Sequence, residues 1–193
     1  ASDVYKRQPL ILIALGLSVG FKANVWNIGA EGQYIMGAIF GASFALSLYP
    51  LESIVIFPAM ILIGVIGGCL WSMIPAFLKV KFQVNEILVS LMLVYVAEQI
   101  LALASLGFLR NPDGAGFPGS RNLSQYSSAS NAELITGTGI HLGVLLSLLM
   151  VVFFYVLLFR HSLCFNIKLL GNSPKASGFS GDNPNNLIFL CLT

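Results

Sequence analysis

Asn27-Ile28-Gly29-Ala30-Glu31-Gly32-Gln33 separates two apolar runs, Pro9–Phe21 and Tyr34–Tyr49. Polar groups set among such runs are costly in hydrocarbon unless they have partners. Asn27 is suited to cap a helix beginning near Ile28. Glu31 would then lie in its first turn, where amides are unsatisfied and the helix dipole is positive. Gly29 and Gly32 would equally permit a broken helix lining a cavity, where freed backbone groups and Gln33 meet a polar ligand. The residues themselves leave both readings open.

Composition decides the solvent. Hydrophobic residues make up 56% of the chain and charged residues 9%, against about 25% charged in soluble domains. Mean hydropathy is +0.85. These values describe an integral membrane protein, and a net charge of +2 gives no footing for nucleic-acid binding. Further apolar runs follow at Ile54–Leu78, Val84–Leu109 and Ile140–Phe159, and another opens at Leu187. The expected fold is all-α: a polytopic transmembrane bundle of about five spans plus the start of a sixth, each needing about 20 residues. Residues 1–8 read as a non-native or assembly-scar leader. Residues 9–193 read as a fragment of a larger membrane subunit.

Charge sorting orients the spans. Lys22, Lys79, Lys81, Arg160, Lys168 and Lys175 fall on one side of the alternating topology, and Arg110 and Arg121 on the other. The positive-inside rule puts the first set in the cytoplasm. Residues 110–139, rich in Gly, Pro, Ser and Asn, then form an extracytoplasmic loop dominated by turns, and residues 160–186 a cytoplasmic one. Gly16 and Gly20, then Gly37, Gly41 and Ala45, then Gly64 and Gly68 recur at four-residue spacing. Such faces let helices approach closely, and ordinary packing explains them better than a dimer motif. Gln33 shares the Gly37 face.

Three polar sites remain. Asn85-Glu86 starts the fourth span, with Lys79 and Lys81 near enough to pair with Glu86. Glu98 lies mid-span, and Tyr95, Glu98, Ala102 and Ser105 follow helical spacing along one face. That face should meet the bundle or an aqueous path rather than lipid. In the second loop, Ser173 would cap a short helix with Pro174 as its first residue and Gly181 as its end. Cys69, Cys164 and Cys191 lie far apart, without metal-ligand spacing, and read as small apolar residues. Asn122-Leu123-Ser124 is a weak glycosylation signal.

The ordered set Asn27–Gln33, Leu78-Lys79-Val80-Lys81-Phe82-Gln83-Val84-Asn85-Glu86-Ile87, Leu91–Tyr95 and Gly171–Gly181 resembles permease subunits of bacterial ABC importers. It is most similar to the simple-sugar and nucleoside branch, related to the ribose and branched-chain amino-acid permeases. Val94 stands where that family often has Asn, Ser173 where Asn is usual, and Ser177 where Ala is usual. The resemblance implies a multi-pass subunit of the bacterial inner membrane that imports nucleosides, simple sugars or related small polar solutes. It implies a separate ABC ATPase that uses the ATP, a second permease subunit and an extracytoplasmic binding protein, with no cofactor or metal on this chain. Substrate-pathway candidates are Asn27, Glu31, Gln33, Tyr95 and Glu98. Ser173, Pro174, Lys175, Ala176, Phe179 and Gly181 would couple to the ATPase. The chain has no Gly-x-x-x-x-Gly-Lys-Ser/Thr phosphate loop and no nucleophile–His–acid set, so it is not expected to be an enzyme. An ion-coupled secondary transporter, motivated by Glu98, and a non-transporting scaffold are the alternatives.

Overall fold

A computed structural model describes residues 2–111, 119–123, 126–130, 133–135, 140–173, 177–178 and 183–193, with backbone alone for 2–7, 133–135 and 140. The helices are α1 (Ser2–Lys22), α2 (Ala30–Ser47), α3 (Ile56–Phe82), α4 (Glu86–Leu106), α5 (Leu142–Phe159), α6 (Ser162–Asn172) and α7 (Pro184–Leu192). Two short antiparallel strands, β1 (Glu133–Ile135) and β2 (Ile140–His141), precede α5. The five expected spans correspond to α1–α5. Of these, α3, α4 and α5 are each long and apolar enough to cross a membrane.

Helix ends follow local chemistry. Asn24 takes a left-handed conformation (φ 55) after α1. The Val25 amide donates to the Gly20 carbonyl at 3.0 Å and the Asn24 amide to the Phe21 carbonyl at 3.2 Å. This is a Schellman cap, with Asn in the place usually held by Gly. Gln83 (φ 55) ends α3 in the simpler left-handed form, its amide donating to the Lys79 carbonyl at 3.1 Å. The Asn183 side chain caps α7 by accepting from the Asn185 amide at 3.0 Å, and Pro184 opens the helix as its missing N–H allows.

The chain divides into two compact units. The first comprises Ala1–Asn27, Pro75–Glu86 and Asn131–Thr193. In it α1 packs along α5, and α6 and α7 pack on α1. Its core gathers Val19, Ala23, Val25, Ala76, Ile167, Leu170, Leu187 and Leu192. The second comprises Ile28–Ile74 and Ile87–Ser130. There Met36 and Ile39 of α2 pack with Ala97 and Ala104 of α4, with Trp71 of α3 alongside.

The glycine faces of the second unit pack within the chain. A Cβ on Gly37 would lie 2.9 Å from the Gly64 carbonyl oxygen, and one on Gly64 would lie 3.1 Å from the Gly37 oxygen. The two backbones therefore touch, as small-residue crossings in membranes require when lipid supplies no hydrophobic drive for association. A Cβ on Gly68 would meet the Gln33 carbonyl oxygen at 3.3 Å, so Gln33 shares the packed face as expected. Gly16 has nothing within 4 Å, so the four-residue spacing does not become a contact there.

Part of the long loop is tied down. Tyr126 and Ala129 are buried with Ala45 and Ile56. The Tyr126 hydroxyl donates to the Leu51 carbonyl, and the Ser53 amide donates to Ser128 Oγ at 3.1 Å.

Candidate functional site

The α1–α2 joint differs from the expected cap. Helix α2 starts at Ala30, its N-cap is Gly29, and no side chain caps it. Asn27 is buried, and its Nδ2 donates to the Leu192 carbonyl at 3.3 Å. The residue therefore ties the joint to α7. Glu31 lies in the first turn of α2 and is exposed, where the dipole favours a carboxylate. Gln33 is half-buried, and its amide donates to the Gly29 carbonyl at 3.1 Å. The Ile28 amide donates to Ser90 Oγ at 3.3 Å, which holds the start of this joint to α4.

At the α3–α4 turn, Lys79 Nζ lies 2.6 Å from Glu86 Oε2, with the Glu86 side chain only 9% exposed. The expected pairing is present, with Lys79 as the partner. Lys81 instead lies over the Phe77 ring, 5.2 Å from its centroid. Lys79→Met removes a charge-assisted bond and leaves Glu86 with a lost partner. It should cost about 1.5–3 kcal/mol. Thermal unfolding of the full-length protein in detergent measures it, and an unchanged midpoint would count against the bridge.

On α4, Ser90, Val94, Ala97 and Ala104 form the buried stripe. Tyr95 is 58% exposed, and Glu98, Gln99 and Ala102 are exposed as well. Glu98 stands just past the midpoint of the 21-residue helix, and no partner for it is found among the described residues. A charged group at the centre of a spanning helix costs about 2.5–3.5 kcal/mol on insertion scales. Sequence reasoning missed Gln99, although it lies four residues after Tyr95 and so on a neighbouring part of the same surface.

The coupling candidates are only partly described. Pro174, Lys175, Ala176, Phe179 and Gly181 lie outside the described residues. Ser173 closes α6 and its amide donates to the Leu169 carbonyl. Its own carbonyl accepts from the Ser177 amide at 3.1 Å. Helix α6 occupies a stretch expected to be a loop, and it buries Cys164, Ile167 and Leu170 on one side. That three-residue apolar period is the signal that could have found it. A Cβ on Gly171 would lie 2.5 Å from the Lys22 carbonyl oxygen, so α6 ends in backbone contact with the end of α1. Lys22 Nζ in turn lies 4.3 Å from the centroid of the Phe159 ring.

Among the described residues, no group of His, Cys, Asp or Glu is placed to hold a metal ion. Helices long and apolar enough to cross a membrane, with crossings in backbone contact, describe an integral membrane protein. The chain belongs to the family described as the permease component of the branched-chain amino acid transport system, which matches residues 4–192. It is a family of permeases and not of enzymes. The chain is 33% identical over 181 residues to the glucose ABC transporter permease protein of Haloferax volcanii, covering 90% of this chain and 47% of that relative. It is 26% identical over 190 residues to the nucleoside ABC transporter permease protein of Lactococcus lactis subsp. cremoris (95% and 52%). It is 26% identical over 174 residues to the guanosine ABC transporter permease protein of Bacillus subtilis (90% and 49%). The chain thus spans about half the length of these curated relatives. No solved structure matches the chain.

Proposed function

We propose that this chain is a membrane-spanning part of the permease subunit of an ATP-driven importer for nucleosides, simple sugars or related small polar solutes. The observation that carries the reading is the permease-family match across residues 4–192. The sugar and nucleoside names of its relatives support the cargo class. ATP is hydrolysed by a separate cytoplasmic ABC ATPase, a second permease subunit completes the pathway, and an extracytoplasmic binding protein delivers cargo. The subunit resides in a bacterial inner membrane with the Lys79–Lys81 end of α3 on the cytoplasmic side. Ser173 to Gly181 receives the ATPase, and the contact of Gly171 with Lys22 carries its movement to the α1–α2 joint. Glu31 and Gln33 at that joint, with Tyr95 and Glu98 on α4, face the substrate pathway. Asn27 serves it by fixing the joint.

Reconstitution of the full-length subunit with its operon partners tests this reading. Uptake should stop when the ATPase's nucleotide site is knocked out, and Phe179→Asp should release the ATPase from the complex. Uptake that survives the knockout would sink the importer reading. The mid-span carboxyl of Glu98 also suits an ion-coupled secondary transporter. Uptake by the purified subunit alone, abolished by dissipating the ion gradient, would favour that alternative.

A further inference from the structure

We infer that the flank of α4 carrying Tyr95, Glu98 and Ala102 is a cargo-binding wall. It borders a water-filled route and takes a neutral, hydroxyl-rich ring. The inference rests on the importer reading above and assigns the contact surface within it.

The first argument is asymmetry around the helix. With the buried stripe Ser90–Val94–Ala97–Ala104 turned inward, one flank presents Tyr95, Glu98, Ala102 and half-buried Ser105, with exposed Leu91 one turn before Tyr95. The opposite flank presents Met92, Val96 and Leu103, the last 71% exposed. Hydrocarbon suits the second flank and penalises the first. Polar groups at this depth turn to a bundle interior or an aqueous cavity, and the described part of the chain leaves Glu98 without a partner.

The second argument is the chemistry presented. A carboxylate accepts from two hydroxyls at once, and a phenol both donates and accepts. The Tyr95 ring offers an apolar face to a sugar or nucleoside ring, and Ala102, one turn beyond Glu98, leaves room for it. Pockets for such ligands combine an apolar lining with a few placed polar groups in this way. A carboxylate repels an anion, so phosphorylated or carboxylated cargo is disfavoured. Gln99, four residues after Tyr95, adds an amide at the rim.

Cysteine accessibility tests the assignment in the full-length assembled transporter, with Cys69, Cys164 and Cys191 replaced. Ala102→Cys and Glu98→Cys should react with a small charged thiosulfonate at least tenfold faster than Leu103→Cys. Saturating D-ribose, D-glucose or adenosine, tried separately, should slow the reaction of the Ala102→Cys variant severalfold for the transported solute. In uptake assays Glu98→Gln, whose amide still bonds hydroxyls, should raise the apparent KM less than Glu98→Leu does. Glu98→Leu should raise the apparent KM at least tenfold while the complex still elutes intact. Equal reactivity at the three positions overturns the wall. So does reactivity at 98 and 102 that no cargo slows, or reactivity that appears only when the second permease chain is dissociated, which would make the flank a subunit contact. Wild-type vesicles run alongside separate the two claims. Absence of ATP-dependent uptake there fails the importer reading and this inference with it. Wild-type uptake with unprotected cysteines fails this inference alone.

Discussion

Gly37→Leu should abolish the packing of α2 on α3, with a loss of about 3 kcal/mol or more. The oxygen that a side chain would strike belongs to Gly64 backbone, 2.9 Å from the Cβ position. A carbonyl in a helix cannot rotate away without breaking that helix's own hydrogen bond, so the helices must separate. Overpacking in well-packed cores costs about 1–3 kcal/mol and sometimes more. The upper end applies because separation also strips the contacts at Gly41 and Gly68. Gly16→Leu is the matched control. It sits in the same four-residue spacing, yet nothing approaches within 4 Å. Thermal unfolding of the full-length protein in detergent should show a large fall for Gly37→Leu and little change for Gly16→Leu. Equal falls would mean that the crossing does not form as described.

Gly171→Val is the second substitution with a large expected effect. Its Cβ would stand 2.5 Å from the Lys22 carbonyl oxygen and 3.1 Å from the Ala23 carbonyl carbon. Both are backbone atoms at the end of α1, just ahead of the Asn24 cap. Relief requires α6 to lift from α1, which uncovers the buried Ile167 and Leu170. A loss of about 3 kcal/mol follows from the same overpacking argument, together with loss of uptake. Gly178→Ala, with nothing within 4 Å of the Cβ position, should leave the unfolding midpoint in place. A normal midpoint and normal uptake in Gly171→Val would show that the α1–α6 contact is dispensable.

Much of this architecture was legible in the sequence because hydrocarbon imposes a blunt rule. Long apolar runs become helices, since a chain in lipid must satisfy its backbone internally. That logic located α3, α4 and α5 to within a few residues. It failed where the signal is amphipathic: α6 buries one residue in three (Cys164, Ile167 and Leu170) amid polar positions, so average hydropathy hid its periodicity. Helix α2 starts at Ala30 with Gly29 as its N-cap, while Asn27 donates to a distant acceptor, the Leu192 carbonyl. Distant acceptors leave no mark on local sequence. The Lys79–Glu86 pair was readable, since the turn between the helices brings opposite charges together. The outward setting of Glu98 was not, because helical spacing fixes which residues share a face but not which face a neighbour covers.

One residue at the centre of the second unit has a practical use. Trp71 Nε1 is buried and has no acceptor among the described residues. It lies 3.3 Å from the Cβ position of Gly32, within the heptapeptide at the α1–α2 joint. The chain has two tryptophans, and the other, Trp26, is 47% exposed. An excited indole whose N–H is buried and unbonded relaxes less before it emits than one in water, so its fluorescence lies toward the blue. With Trp26 changed to Phe, the protein carries a single indole beside this joint. Water or a polar group arriving next to Gly32 then registers as a shift in colour, with no label attached.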